Sequence, residues 1–160
     1  MERTADPAGI PAAVAAFLRG QNLPLAIRYG DDPRLAALPW EQAGTLEIRR
    51  GASGGNDLAA VSHAFGAVAE TGTLVLVSGA DNPTTLNFLP DAHIVVVSAT
   101  DIASDFETVM ARLRERFGAG ALPRTVNMIT GPSRSADIEQ TLILGAHGPR
   151  KLHVIVAGDP

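Results

Sequence analysis

Two stretches of branched aliphatic residues, HIVVVS at 93–98 and LHVIVA at 152–157, constrain this 160-residue chain more than anything else in it. Neither alternates apolar with polar residues, as a strand with one wet face would. A continuous β-branched run is covered on both faces, and strands of that kind belong to parallel sheets whose connections are helical. The other apolar runs fit the same plan. PLAIRY (24–29) before the turn residues GDDP, Thr45–Arg49, Leu74–Ser78 and Val126–Thr130 read as short strands. Leu58–Val61 reads as a strand leading into a helix that runs through Glu70.

Helical periodicity appears between these runs. Pro11–Arg19 is rich in Ala with Val14, Phe17 and Leu18 at helical spacing, and Gly20 ends it. Pro33–Leu38 has the length of one helical turn. The clearest helix starts at a cap, Asp101 or Ser104, and runs to Phe117 before Gly118, with Ile102, Phe106, Val109, Met110, Leu113 and Phe117 on one stripe. Arg112, Arg114 and Arg116 lie mostly off that stripe, and a solvated basic turn at a helix C-terminus accounts for them. The expected architecture is α/β, with a Rossmann-like, mainly parallel sheet and helices on both faces.

A hydrophobic content of 46% over 160 residues supports a core of one domain, 1–160, and is too short for two of ordinary size. With a net charge of −4 and scattered basic residues, nothing marks a nucleic-acid or anionic-membrane binder, although a small anionic ligand stays open. Cysteine is absent, so the chain itself can carry no disulfide, thiol nucleophile or cysteine-ligated iron–sulfur cluster. The start, MERTADPAGIPAAVAAFLRG, has acids and prolines where a signal peptide needs a basic head and an apolar core, and no apolar run is of membrane-spanning length. The expected location is the cytoplasm.

Reactive side chains and backbone punctuation coincide at Thr130–Arg150, TGPSRSADIEQTLILGAHGPR, where glycines and prolines surround Ser133, Arg134, Asp137, Glu139 and His147. Its readings are a shaped site or a structural turn. Ser133 and Arg134, with backbone N–H groups at a helix start opened by Asp137, form a candidate carboxylate clamp. Arg134 has the alternative of an ion pair with Asp137 or Glu139. Thr71, Gly72 and Thr73 follow Glu70 at a helix-to-strand junction and either hold a ligand or close the helix. Asn82, Thr84 and Thr85, in the loop after a strand, form a candidate pocket wall. Glu70, Glu139 and His147 are the candidate proton-transfer groups, with Glu70 and His147 as base and acid if they share a cavity. The Gly-rich RGASGGND at 50–57 reads as a mobile hairpin loop or an anion cradle without a completed phosphate-binding pattern. His93, at the start of its strand, reads as a satisfied edge histidine rather than a ligand, since no residue at metal-ligand spacing accompanies it, and no metal site is expected.

The blocks AETGTLVLVSG, LPDAHIVVV and GPSRSADIEQTLILGAHGPRKLHVI resemble the LUD domain of the lactate-utilisation protein C (LutC/YkgG) family, over roughly Asp57 to Val156. The resemblance implies a fold similar to the NagB/RpiA/CoA-transferase-like group and a domain shortened at its N-terminus relative to the family. Ala59–His63 departs from the family's usual Gly-Val-Thr strand, so no ligand role for His63 is carried over. For function it implies a component of a bacterial system that oxidises L-lactate to pyruvate, acting in assembly, regulation or substrate binding. LutA/LutB-like iron–sulfur proteins would be its partners, with no cofactor on this chain. The alternatives are an enzyme acting on a small anion or CoA ester through a glutamyl intermediate at Glu70, and a non-catalytic small-molecule sensor. A homo-oligomer stays open.

Overall fold

The computed structural model of the protein describes residues 1–118, 120–136 and 142–159. In chain order its strands and helices are β1 (Glu2–Thr4), α1 (Ile10–Gly20), β2 (Ala26–Tyr29), α2 (Pro33–Ala36), β3 (Glu47–Arg50), β4 (Ala59–His63), β5 (Gly66–Val68), β6 (Thr73–Val77), α3 (Thr85–Phe88), β7 (Ala92–Ser98), β8 (Ile102–Ala103), α4 (Phe106–Phe117), β9 (Val126–Ile129), β10 (Arg134–Ala136), β11 (Leu142–Leu144) and β12 (Lys151–Ala157). Single 3-10 turns lie at Pro7–Gly9, Trp40–Ala43 and Ala99–Asp101.

The two aliphatic runs, β7 and β12, pair in parallel along seven residues, from Ala92 opposite Lys151 to Ser98 opposite Ala157. They are adjacent interior strands of a six-stranded sheet of order β1-β12-β7-β4-β2-β3 in which every pairing is parallel. Residue alternation then assigns two faces. Ile94, Val96, Ile155, Val61 and Ile27 meet Ile10, Val14 and Leu18 of α1, together with Leu35 and Trp40. Val95, Val97 and Val156 point the other way, against Leu74 and Leu76. That second face is covered by α3 and by a smaller sheet of order β8-β5-β6-β9, whose outer side carries Val109 and Leu113 of α4.

The residues after β4 form no helix. Phe65 donates its N–H to Val75 O, and Gly66–Val68 pairs antiparallel with β6 and parallel with β8. Local alanine content favours a helix here, but two pairing partners and complete burial of Gly66, Ala67 and Val68 favour the strand, and tertiary context prevails over propensity. The α4 cap is Asp105, one residue beyond the expected pair. Ala103 is still in a strand, and Asp105, in extended conformation, accepts the Thr108 N–H at 2.8 Å while Ser104 Oγ donates to its other oxygen at 2.6 Å. β1, an edge strand on β12, was not among the expected elements. Arg134–Ala136 begins a strand of an antiparallel hairpin with β11, where a helix start was expected. Asp137 and Glu139 lie outside the described residues. Among the described residues, no helix is long and apolar enough to cross a membrane.

Candidate functional site

In a parallel sheet the carboxyl ends of all strands open onto one edge, and ligands of open α/β folds bind in the crevice there. On this edge β2 ends in Tyr29 and continues as Gly30-Asp31-Asp32, while β4 ends in His63 and β7 in Ser98. Between them lies a cleft of about 420 Å³, lined by Asp32, Arg34, His63, Phe65, Asn82, Asp101, Arg116 and Phe117 among others.

The cleft is held by charged pairing. Asp32 is 1% exposed, caps α2 through the Arg34 N–H (2.8 Å) and accepts Arg34 Nε at 3.0 Å and Nη2 at 2.7 Å. Burial alone would raise the Asp32 carboxyl, but these hydrogen bonds and the Arg34 charge outweigh it and hold it below the usual range. Asp32 engages two of the five guanidinium donors, and the Arg34 side chain stays half exposed at the cleft.

His63 is 8% exposed. Its Nδ1 lies 2.9 Å from Ala64 O, and because a carbonyl only accepts, Nδ1 carries the proton. Nε2 of the neutral ring is then an acceptor, with Ser98 Oγ at 3.5 Å. Burial, followed by the Arg34 charge, pushes the imidazole below its ordinary value, against the opposing pull of Ala64 O, Asp32 and Asp101. A neutral, oriented histidine beside a guanidinium is thus available to accept a hydrogen bond from a ligand hydroxyl.

A further part of the lining comes from the loop after β6. Asp31 N–H donates to Ala80 O at 2.9 Å, and a Cβ at Gly30 would run into Asp81 O and, at 2.6 Å, Pro83 Cδ. Only glycine lets this loop cross the end of β2. The crossing places Asn82 in the cleft, where its Nδ2 donates to Val77 O at 3.2 Å and its buried Oδ1 has no hydrogen-bond partner among the described residues.

Of the residues singled out from sequence, Asn82 therefore lines this cleft; Glu70 and His147 do not. Thr84 caps α3 without a side-chain hydrogen bond, and Thr85 Oγ1 accepts the Ser53 N–H at 3.1 Å, tying α3 to the Gly-rich loop. That loop is pinned. Asp57 Oδ2 accepts Arg28 Nε at 2.7 Å and Ser53 Oγ at 2.8 Å. Thr71, Thr73 and Thr130 form a hydroxyl chain with both links at 2.7 Å, so the 70–73 turn meets the start of the Thr130–Arg150 stretch. Gly72, at φ 68°, lines an apolar groove between the two sheets, and Glu70 is exposed with its N–H on Ser104 O. Ser133 Oγ accepts the His147 N–H at 3.2 Å, and Ser133 also bonds Pro149 O and Gly145 N through its backbone, closing the hairpin base. Arg134 is exposed on β10. His93 is fully buried on the interior strand β7, with Nε2 bonded to Ser62 and Nδ1 without a hydrogen-bond partner among the described residues, so it is neither at an edge nor fully satisfied.

Asp32, Arg34 and His63 were missed as site residues because GDDP reads as a turn and Ala59–His63 departs from the family's usual strand. The signal that finds them is position: each follows or ends a parallel strand. No cluster of His, Asp and Glu suited to a metal ion occurs among the described residues.

Residues 47–157 match the LUD domain family. The chain is 42% identical over 93 residues to lactate utilization protein C of Geobacillus sp. (strain WCH70), and 41% identical over 93 residues to that of Geobacillus thermodenitrificans. Each match takes in 58% of this chain and 39% of the relative, so the similarity spans about two fifths of those relatives' length. The fold is shared with a crystal structure of a DUF162 family protein from Deinococcus radiodurans, at a TM-score of 0.68 and 26% identity, over 98% of this chain and 88% of that one. With a match over 47–157 and a mainly parallel α/β sheet in agreement, the chain belongs to the LUD domain family.

Proposed function

We propose that the cleft at the carboxyl ends of β2 and β4 binds a small 2-hydroxy carboxylate of the lactate type. The chain then acts as a substrate-binding component of a lactate-oxidising system, with electron transfer carried by iron–sulfur partner proteins. The observation that supports this best is His63, a neutral histidine with Nε2 as its acceptor, which lines a cleft that Arg34 and Arg116 also line. A 2-hydroxy carboxylate offers the matching groups: a hydroxyl to donate to Nε2 and a carboxylate to take the remaining guanidinium N–H groups. Charge balance narrows the ligand further. Asp32, Asp81 and Asp101 face two arginines in the lining, so a single negative charge is accommodated better than the several of a phosphate ester. The names of the relatives, lactate utilization protein C, point the same way.

Calorimetric titration of the chain with L-lactate and pyruvate tests the proposal. Binding is expected, and His63→Phe, which keeps the ring and removes the acceptor, should weaken lactate about tenfold, the worth of one hydrogen bond of about 1.4 kcal/mol. Absence of binding at millimolar ligand, or equal affinity in the variant, would refute it.

A second reading rests on the apolar groove of about 600 Å³ whose lining includes Ala69 and Gly72, on either side of Glu70 and Thr71. It suits an acyl chain beside an exposed carboxylate, as an acyl-CoA-dependent glutamyl enzyme requires. A mass adduct on Glu70 after incubation with acyl-CoA would decide for it.

A further inference from the structure

The cleft has a neighbour. A second cavity of about 210 Å³ shares Arg34 and His63 with it, and its other walls are the aliphatic Pro7, Ile10, Leu35, Leu38 and Ala157 together with Ser98, whose Oγ is turned to His63 Nε2 at 3.5 Å. Its position follows from the fold. Ala157 and Ser98 stand opposite each other at the ends of β12 and β7, His63 ends the adjacent β4, and the start of α1 with α2 closes the cavity from the helical side. Ile10, Leu35 and Ala157 are 2%, 1% and 8% exposed, so the cavity floor belongs to the rigid core. Arg34 and His63 therefore divide a polar chamber from an aliphatic one.

Such a division sorts the two ends of one ligand. A 2-hydroxy acid bound with its carboxylate and hydroxyl on the polar side has its third substituent, the side chain, left for the other. In lactate that substituent is a methyl, comparable to one water, whose share of liquid volume is about 30 Å³. It would leave most of the second chamber empty. Resting on the hydroxy-carboxylate reading above, we propose that the chamber behind Arg34 and His63 is an aliphatic subsite, and that the cleft prefers 2-hydroxy acids with branched side chains larger than methyl. Each methylene buried there tightens binding about fourfold. The isobutyl group of 2-hydroxyisocaproate, three carbons beyond lactate, then gains roughly sixtyfold.

The experiment compares L-lactate and L-2-hydroxyisocaproate by calorimetry on the intact chain, in the wild type and in Ala157→Leu, which fills the chamber from its floor. The expected result is a wild-type preference for 2-hydroxyisocaproate of several tens of fold that falls to within about threefold in the variant. Leu38→Ala, at the half-buried mouth, cuts the same preference severalfold and serves where Ala157→Leu does not fold. Equal affinities in the wild type, or a preference that survives both substitutions, would overturn the subsite while leaving the hydroxy-carboxylate site in place. Binding of neither acid would overturn that site, and the subsite with it.

Discussion

His93 gives the sharpest quantitative prediction, because it is a titratable group enclosed in the sheet. The ring is fully buried on β7, Nε2 lies 3.0 Å from Ser62 Oγ, and Ser62 in turn donates to Asn87 Oδ1 at 3.4 Å. Nε2 is therefore the protonated nitrogen, and Nδ1 has no hydrogen-bond partner among the described residues. Protonating Nδ1 would leave a charge in an apolar site with nothing to receive it, and burial pushes the imidazole down from 6.5 to about 4. Because the folded state resists a proton that the unfolded chain accepts, the contribution of His93 to stability is complete above pH 6.5. It is lost as pH falls from 6.5 toward 4, and below that it changes no further. Linkage across pH 7 to 4.5 gives a loss of about 2 kcal/mol from this residue. Urea denaturation of the wild type and of His93→Gln, at both pH values and constant ionic strength, isolates it. The amide of glutamine can still donate to Ser62 but does not titrate, and His63, His153 and the carboxylates are common to both proteins. The wild type should lose about 2 kcal/mol more than the variant; parallel losses would refute the assignment of a neutral, trapped imidazole.

Gly30→Ala should destabilise the fold by about 1–3 kcal/mol in the same assay, as overpacking at a rigid contact does. Because Pro83 and the Asp81 carbonyl must move away, it should also speed hydrogen exchange of the Asp31 amide, which bonds Ala80 O. Asp57→Ala removes the carboxylate that joins Arg28 to Ser53 and should cost about 1.5–3 kcal/mol, the range for hydrogen bonds to a charged group. Faster exchange of the Gly55 amide, which bonds Ser53 Oγ, would place the loss in the Gly-rich loop; unchanged exchange would show that the loop does not depend on Asp57.

The centre of the fold was legible because it is written in unbroken aliphatic runs. HIVVVS and LHVIVA each fall within one residue of β7 and β12, and the apolar stripe of α4 reappears as Val109 and Leu113 in the core. Elements that depend on distant partners were not legible. Ala64–Glu70 has helical composition, and only the pairing of Gly66–Val68 with β6 and β8 makes it a strand. Glu2–Thr4 has no apolar pattern and becomes a strand because the edge of β12 offers it hydrogen bonds. The Gly-rich loop invites the word mobile until Asp57, whose partner Arg28 is distant in sequence, is seen to fasten it.

The site was obscured by a related effect. Glycine, proline and hydroxyl content draws the eye to Thr130–Arg150, yet there Ser133 is occupied in closing its own hairpin. Asp32 and Arg34 sit in a turn whose composition looks equally structural. What separates the two cases is cost. A carboxylate 1% exposed loses its hydration, and capping a four-residue helix is small compensation for that. Asp32 is tolerable because it holds Arg34 through two further bonds, which in turn fixes a guanidinium at the carboxyl edge of the sheet beside a neutral His63. An acid that only terminated a loop could remain in solvent, as Asp31 does beside it. A buried acid that orients a half-exposed arginine toward a cleft is how a fold preorganises an anion contact, and it is the physical ground on which the proposed site is centred at Asp32, Arg34 and His63.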